Sequence, residues 1–503
     1  MAEFGTIDPP LCGGVEFSAG RTRRFVVRTF VALESLVAHP LVGRNVAMQE
    51  GEPVSHPAFR DRVATWHAAF IARRGTRWAF YFDDALTFAA ALFGAWLAGR
   101  SVYLCSDNLP ATLEALREDV DGYAGDVDDA FHPLQPHAGT TAPAVWPSLD
   151  AERAAVFVQT SGSTGSPVLI AKRLRQLAEE AAALEHTFAG HCEATVPTSQ
   201  VVVHGTVSHQ HIYGLLFRVL WPLASGRPFT ARLFRHSELA QALGEGDGVL
   251  VSSPAHLKRL PVDLDWSGAR NCLRAAFSSG GPLDDEAAFH AQAVLGVAPI
   301  EVLGSSETGG IASRRRAVDD AASHIWQPLP GVEWRVEADR LEVKSPFLAD
   351  AQWLRTDDRA QRDGENGFRL MGRGDRVVKI EERRVSLTAL EAALAGHPLV
   401  QEVRVLTQED DANALAAVVV PTAEGWQQLE ALGRWRFAQS LRTALAAVVD
   451  ATLHPTRWRY VSALPLNAQG KVTQRLLQSL FHVAPEPRAA PVRPHESLTK
   501  DPR

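Results

Sequence analysis

Two textures alternate along the first half of the chain. Between about Asn45 and Thr230, short β-rich apolar runs give way to longer Ala/Leu stretches with helical spacing. Trp78-Ala-Phe-Tyr-Phe82 precedes the Ala85–Gly99 stretch, and Ala155-Val-Phe-Val158 precedes Leu174–Ala183. This alternation predicts βαβ units, parallel sheets with helices laid over their faces. It continues through Gly248-Val-Leu-Val-Ser252, Leu273-Arg-Ala-Ala-Phe277 and Ile300-Glu-Val-Leu303, each run ending in a Ser/Gly-rich loop. After about Trp334 the pattern shortens to strands at Leu341–Lys344 and Gly367–Met371, which predicts a smaller β-rich layer. Beyond Gly372-Arg-Gly-Asp375, the spacing predicts helices at Leu387–Ala395 and Trp426–Val448 and strands at Val400–Leu406, Leu415–Val420 and Trp458–Val461. Together these make a compact α+β unit of about 100 residues. The tail, Ala484 to Arg503, is Pro/Arg-rich with little apolar content and is expected to be disordered.

Composition bounds this picture. At about 150 residues per domain, 503 residues leave room for roughly three domain-equivalents, and 46% hydrophobic residues supply large cores. Acidic side chains number 58 against 51 basic ones, and the net charge of −7 gives no general field for nucleic acid or an anionic membrane. Cys12, Cys105, Cys192 and Cys272 are far apart, without a CxxC pair to seed a zinc site or a disulfide framework, and a reducing cytoplasm is the expected setting. The Ala85–Gly99 stretch is shorter than the roughly 18–20 residues that span a bilayer and follows directly on Asp83-Asp84, so it reads as a buried helix. Glu3 and Asp8 stand where a signal peptide would be basic and then apolar, and export is not expected.

Candidate chemistry begins at Val156-Phe-Val-Gln-Thr-Ser-Gly-Ser-Thr-Gly-Ser-Pro167, a strand running into a loop of hydroxyls and glycines. Glycine lets backbone N–H groups turn toward an anion and hydroxyls add donors, so such a loop can cradle phosphates. The GxxxxGK[ST] spacing of a Walker loop is absent. Alone, the stretch reads equally well as a flexible connector. Four further segments follow in order: Gly304-Ser-Ser-Glu307, Arg355-Thr-Asp-Asp358, Gly372-Arg-Gly-Asp375 running to Lys379-Ile380, and Pro465-Leu-Asn-Ala-Gln-Gly-Lys471.

The ordered set resembles the core motifs of the adenylate-forming superfamily, which holds acyl- and aryl-CoA synthetases, peptide-synthetase adenylation domains and luciferases. The resemblance covers residues 45 to 480. It implies an α/β fold, a large N-terminal body of β-sheets and helices with a small mobile α+β C-terminal domain, using ATP and Mg²⁺. On that template the chain divides into an N-terminal extension (1–20), the body (21–372), a hinge (373–376) with Asp375 as pivot, the small domain (377–483) and the tail (484–503).

The resemblance implies roles position by position. Thr160, Ser161, Gly162, Ser163, Thr164 and Gly165 would hold the β- and γ-phosphates of ATP. Glu307 would hold Mg²⁺, and Ser306, where the family usually has Thr, would donate to the α-phosphate. Leu303, Gly304 and Ser305 would line the nucleotide beside them. Asp358 would accept both ribose hydroxyls, with Arg373 supporting the ribose from the hinge side. Gly280 and Gly281, within Ser278-Ser-Gly-Gly-Pro282, would wall the adenine pocket, a plain tight turn being the alternative. Lys471 would carry adenylation, because a carboxylate attacking a phosphate meets charge repulsion that an ammonium touching both anions offsets.

His211, in Ser208-His-Gln-His-Ile-Tyr-Gly214, would face the acyl pocket with Tyr213 and Gly214, and Gly281 and Gly304 would border it. Lys471, Glu307 and His211 thus form the implied catalytic set. Next to His211 and Tyr213, the run Leu215-Leu-Phe217 fits a flat aromatic acid and a medium-chain acid almost alike. His204 and His209 have no acidic or Cys partner nearby in sequence and read as core or loop residues rather than metal ligands. Singly, Glu307 reads as a surface acid, Asp358 and Asp375 as turn residues and Lys471 as a solvated lysine.

Besides Ser306, the chain departs from the family pattern at four positions. Val168 replaces the phosphate-loop Lys, leaving Lys172 or Arg173 to reach the site. Leu303 replaces a Tyr, so adenine would rest on an aliphatic face. Asp357 replaces a Gly, and Glu382 stands where many CoA ligases have a Gly that helps form the thiol tunnel. The wording Val378-Lys-Ile-Glu-Glu-Arg-Arg-Val-Ser-Leu387, with Gly304-Ser-Ser-Glu-Thr-Gly-Gly310, resembles ligases of bacterial aryl-polyene and xanthomonadin-type pigment pathways. Those enzymes load an aromatic acid such as a hydroxybenzoate onto an acyl carrier protein. An acyl- or aryl-CoA ligase is the alternative, and a catalytically degenerate nucleotide- or partner-binding homologue a second one. Arg314-Arg-Arg316 reads as a solvated charge run, with docking of an acidic carrier protein as the alternative.

Overall fold

The computed structural model describes residues 30–482 apart from 137–138, 162–166, 195–199, 318–320, 375, 381–382, 409–413, 447–450 and 468–470. At 154–155, 160–161, 167, 321–322, 377, 379 and 383–384 only the main chain is described.

Two sheets build the body. In the nine-stranded sheet, Asn45–Gln49, Phe229–Thr230, Val202–Gly205, Gly248–Ser252, Leu273–Ser278 and Ile300–Ser305 lie side by side in that order, all parallel. Antiparallel strands close its edges, Glu52–Ser55 on one side and Gly309–Arg315 followed by Gln327–Pro328 on the other. The five-stranded sheet runs Gly122–Gly125, Arg77–Tyr81, Ser101–Leu104 and Ala154–Ser161, all parallel, and ends with the antiparallel Pro167–Arg173.

One apolar core joins the two sheets, with Val203, Val251 and Phe277 from the first and Phe80, Val102 and Val156 from the second. The helix Ala85–Leu97 lies inside this core, which is why its sequence is apolar on every side. Asp84 starts it by accepting the Thr87 N–H at 2.7 Å. The helices His56–Ile71 and Leu174–Phe188 turn apolar faces into the same core. Among the described residues no helix is long and apolar enough to cross a membrane.

The β-rich layer expected after Trp334 is a four-stranded antiparallel sheet of Glu333–Glu337, Arg340–Lys344, Leu354–Asp363 and Gly367–Arg373. A smaller α+β unit follows. It opens with the hairpin Val377–Ile380 and Arg383–Ser386, and Ser386 then caps the helix Leu387–Ala395. Its sheet has Leu415–Pro421 at the centre, antiparallel to Val400–Thr407 and parallel to Arg457–Tyr460. The helix Ala423–Leu445 packs into one apolar cluster of this unit, and Gln474–His482 into a second cluster that shares the same central strand. The long helix expected here is interrupted at Gly433, whose φ of 76° and ψ of 161° are not helical.

Candidate active site

Parallel strands send their carboxyl ends to one edge of a sheet, and open α/β sheets bind ligands in the crevice beyond that edge. Here Val202–Gly205, Gly248–Ser252, Leu273–Ser278 and Ile300–Ser305 end together and continue into polar loops. Thr206 Oγ1 and Ser252 Oγ lie 2.8 Å apart between two of these ends. The Ser279 hydroxyl donates to the Val302 carbonyl at 2.8 Å and anchors the Gly280-Gly281 turn. Gly280 has a φ of 89°, which glycine adopts without a Cβ penalty.

A turn tied down from within joins Ile300–Ser305 to Gly309–Arg315. The Ser305 N–H donates to Thr308 Oγ1 at 2.9 Å, the Thr308 N–H to Ser305 Oγ at 3.2 Å, and the Thr308 hydroxyl to the Gly309 carbonyl at 2.8 Å. These bonds leave Glu307 exposed at the tip with Ser306 half-buried beside it. Gly304 packs against the Gly309 carbonyl with no room for a Cβ. Leu303 is half-buried against the cluster around Ile311 and Trp326.

Beneath the turn lies a network that the sequence reading missed. Lys172, read as a candidate replacement for the phosphate-loop lysine, is 1% exposed. Its Nζ donates to the carbonyls of Glu307 at 3.2 Å and Phe347 at 3.0 Å. Arg173 faces Glu152 at 3.5 Å near the surface. Both cations are therefore committed elsewhere, and that expectation is corrected. Gln176 donates to the Phe347 carbonyl at 2.8 Å, and Glu180 accepts the Gly310 N–H at 2.6 Å. Burial raises the Glu180 pKa, opposed by Lys172 and the Gly310 N–H; burial lowers that of Lys172, opposed by Glu180 and Glu307. Gln176 and Glu180, four residues apart on the buried face of the helix Leu174–Phe188, were the available signal; Lys172 comes from the strand just before it.

The C-terminal unit delivers Lys471 to the same edge. Asn467 fixes its main chain: the Lys471 N–H donates to Asn467 Oδ1 at 2.9 Å, and the Asn467 N–H donates to the Lys471 carbonyl at 2.9 Å. The lysine stem crosses the bare face of Gly280, where a Cβ would stand 3.1 Å from Cε and 3.7 Å from Nζ. Lys471 is exposed as a whole, but the body crowds its ammonium end at Gly280, and this desolvation lowers its pKa from the ordinary lysine value, with Glu307 opposing the shift. On the other side, burial and then the Lys471 charge push the His211 imidazole down to about 3. Lys471, Glu307, His211 and Gly280 are thus brought together from four separate segments. A cross-domain ion cluster accompanies this arrangement, with Lys258 Nζ 3.6 Å from Asp284 of the body and 3.7 Å from Glu402 of the C-terminal unit.

His211 precedes the short helix Ile212–Gly214, which passes into a π-helical stretch, Leu215–Leu220, a form that recurs at functional sites. Among the described residues, His211 Nε2 is buried without a hydrogen-bond partner, and the Tyr213 hydroxyl is buried near the Ser252 main chain. The Tyr213 ring packs against Phe217 with centroids 4.8 Å apart. Gly214 fits against the Ser208 carbonyl, again without space for a Cβ. His204 and His209 are buried, and both are held below the ordinary histidine pKa by burial and then by the charge of Arg218. No group of three His, Cys, Asp or Glu side chains that could hold a metal exists among the described residues.

Asp358 and Arg373 face each other across the antiparallel pair at the end of the four-stranded sheet. The Thr356 hydroxyl accepts the Asp358 N–H at 3.2 Å. Arg373 stands 3.4 Å from Asp357 Oδ2, so Asp357 is an ion-pair partner for this arginine. Thr160 and Ser161 pair with Val168 and Pro167 in the edge hairpin. Gly162, Ser163, Thr164, Gly165 and Asp375 lie outside the described residues. The charge run Arg314-Arg-Arg316 needs correction. Alternate residues of a strand share a face, and Arg314 and Arg316 both pair with Glu301, at 3.0 and 2.7 Å. Arg316 is 4% exposed, which leaves Arg315 alone facing outward.

An acid at a turn tip, with a lysine brought onto it by a separate domain at the carboxyl edge of a parallel sheet, suits chemistry at a nucleotide phosphate. That is the class of adenylate-forming enzymes. Residues 109–346 match the family described as AMP-binding enzyme, and residues 389–471 match the AMP-binding enzyme C-terminal domain. The two matches together cover more than half of the chain. The chain belongs to this family and is an enzyme of the AMP-forming acid–thiol ligase class.

Among its relatives is a 4-coumarate–CoA ligase of Rhodobacter capsulatus, 28% identical over 321 residues, 64% of this chain and 75% of the relative. A probable 2-succinylbenzoate–CoA ligase of Mycobacterium tuberculosis is 28% identical over 352 residues, 65% of this chain and 84% of the relative. Among solved structures, ATP-bound MatB from Rhodopseudomonas palustris superposes with a TM-score of 0.69 at 18% identity, covering 90% of this chain and 99% of that one. A benzoate CoA ligase from Burkholderia xenovorans superposes with a TM-score of 0.63 at 17% identity, covering 87% and 96%.

Proposed function

We propose that this chain activates an aromatic, hydroxybenzoate-like carboxylic acid with ATP and passes the acyl group to the phosphopantetheine thiol of an acyl carrier protein. In the first step a carboxylate oxygen attacks the α-phosphorus, the bond to the β-phosphate oxygen breaks, and pyrophosphate leaves. In the second the thiol loses its proton, its sulfur attacks the acyl carbon, and AMP leaves. The setting is the cytoplasm, on the cysteine usage, and the pathway is of the pigment type to which the sequence is similar.

The observation that carries the first step is the position of Lys471. An ammonium over Gly280, in the field of Glu307 and beside His211, meets a carboxylate and an α-phosphate that repel each other and offsets that repulsion as the bond forms. His211 is neutral with its pKa near 3, so it orients the acid without pairing with the carboxylate and quenching its nucleophilicity. Glu307, exposed at its turn tip, suits Mg²⁺, which takes one or two carboxylates and fills its shell with phosphate oxygens and water. Bound there, the ion would neutralise phosphate charge. Thr160 to Gly165 would receive the β- and γ-phosphates, Ser306 the α-phosphate, and Asp358 with Arg373 the ribose. Leu303, Gly304, Ser305 and Gly281 would line the nucleotide and acyl pocket beside Tyr213 and Gly214. The hinge is proposed at Asp375.

CoA as the acceptor is the second reading, favoured by relatives that carry the names 4-coumarate–CoA ligase and 2-succinylbenzoate–CoA ligase. ATP–pyrophosphate exchange with a panel of aromatic and aliphatic acids tests activation, and no exchange with any acid would overturn it. Thioester formation with holo-carrier protein and with CoA in parallel separates the acceptors. A CoA thioester formed as fast as the carrier one removes the preference for the carrier.

A further inference from the structure

The second half of the C-terminal unit carries a local charge opposite to that of the chain. From Glu430 to His482 there are seven Lys and Arg residues against two acids, Glu430 and Asp450, in a protein of net charge −7. The break at Gly433 lies inside an exposed stretch, 430–436, and Trp435 projects from it, 72% exposed, with exposed Arg434 and Arg436 on either side. A tryptophan left in water between two arginines has no purpose in the packing of its own domain. No ion pair holds Arg434 or Arg436 among the described residues. The Arg434 carbonyl accepts the Tyr460 hydroxyl at 3.4 Å, which fixes this segment against the strand Arg457–Tyr460. Arg459 on that strand donates to the Leu480 carbonyl at 2.8 Å, and its pKa is lowered by burial and then by the charges of Arg434 and Arg457.

We propose that this face, Arg434, Trp435 and Arg436 with Arg457 and Arg459 behind them, docks an acidic acyl carrier protein. The inference rests on the reading of the acceptor given above and names the surface it would use. Charge is the first argument: the whole-chain balance repels an acidic protein, so a protein acceptor needs a basic patch, and in Arg314-Arg-Arg316 two of the three are spent on Glu301. Chemistry is the second, because Trp and Arg are the residue types that dominate binding at interface centres, whereas a small thiol such as CoA needs no protein-docking face. Placement is the third. Phe437, Leu441 and Leu445 share one apolar cluster with Ile380 and Val385 of the 377–386 hairpin, so a partner seated here docks on the same unit as that hairpin.

The test is acyl transfer kinetics with a panel of holo-acyl carrier proteins, with pantetheine as the small-thiol control and ATP–pyrophosphate exchange as the control for folding and activation. Trp435→Ala and the pair Arg434→Glu with Arg436→Glu should each raise KM for the carrier about tenfold or more. Exchange and transfer to pantetheine should stay within about twofold of the parent. In the parent, KM for the carrier should rise with salt, and this dependence should flatten in the charge-reversed variant. Unchanged carrier KM in both variants overturns the docking face while leaving the acceptor reading intact. An equal fall with carrier and pantetheine also overturns it, since the residues would then act on domain movement. If the parent transfers to CoA but to no carrier, the acceptor reading itself fails and the docking face falls with it.

Discussion

Lys172→Met removes a buried ammonium and keeps nearly the same volume, so its cost is electrostatic rather than a cavity. The Glu307 carbonyl loses its donor at 3.2 Å, the Phe347 carbonyl keeps only the Gln176 bond, and the buried carboxylate of Glu180 loses the nearby positive charge while keeping the Gly310 N–H. Leaving one member of a buried charge pair alone costs about 3–5 kcal/mol, and the stranded Glu307 carbonyl adds about 1 kcal/mol or more. Protonation of Glu180 limits the total, because its raised pKa rises further once Lys172 is gone. We therefore expect about 3–5 kcal/mol of destabilisation in urea unfolding at neutral pH.

The sign with pH follows from the same shift. A carboxyl whose folded pKa lies above its unfolded value contributes stability below the unfolded value and loses it as pH rises through the folded one. The deficit of the variant should thus be smaller near pH 5 than near pH 8. Adding Glu180→Gln should recover most of the stability, since replacing both members of a buried pair is close to neutral. Activity should not recover fully, because the Glu307 turn has lost its tie, and KM for MgATP in exchange should stay about tenfold raised. A single variant within about 0.5 kcal/mol of the parent, or a deficit that grows toward acid, would refute the reasoning.

Three further outcomes are expected. Lys471→Ala should lower ATP–pyrophosphate exchange by about a thousandfold or more while leaving nucleotide binding, measured by calorimetry, largely intact; retained exchange would mean another cation serves the α-phosphate. The alkaline limb of exchange should fall below the ordinary lysine range, because Lys471 loses its proton early. Glu307→Gln, assayed at saturating Mg²⁺, should move that limb lower still. Glu402→Gln should slow exchange by about threefold or less and reduce its salt dependence, since it removes one half-exposed ion pair from the closed arrangement; thioester formation from preformed adenylate should be unaffected or faster.

The parallel strands of the body were legible because burial on both faces writes a continuous apolar run: Gly248–Ser252 was bounded to the residue, and Leu273–Ser278 and Ile300–Ser305 were short by one and two residues. The antiparallel edges were not, since Gly309–Arg315 mixes glycine with arginine and its pairing depends on Glu301 across the sheet. The same limit hid the role of Arg314 and Arg316. Positions on the motif loops could be named from their order, but what lies under those loops could not. Lys172 was read as one of two cations able to reach the phosphate site, because a lone lysine carries no mark of burial. Its partners are two carbonyls, one of them 175 residues away at Phe347, and main-chain partners leave no trace in a side-chain pattern.

The seam between body and C-terminal unit at Lys258 is made of half-exposed charges at 3.6 and 3.7 Å. Contacts of that kind are worth about 1 kcal/mol or less. A ligase that has to vacate its lysine before a thiol can enter is served by a fastening this slight. Were the seam lined with the leucines and valines of a domain core, each turnover would have to re-expose apolar surface at roughly 25 cal/mol per Å². Weak fastening here is a condition for speed, and variants selected for higher melting temperature through this seam should pay in turnover.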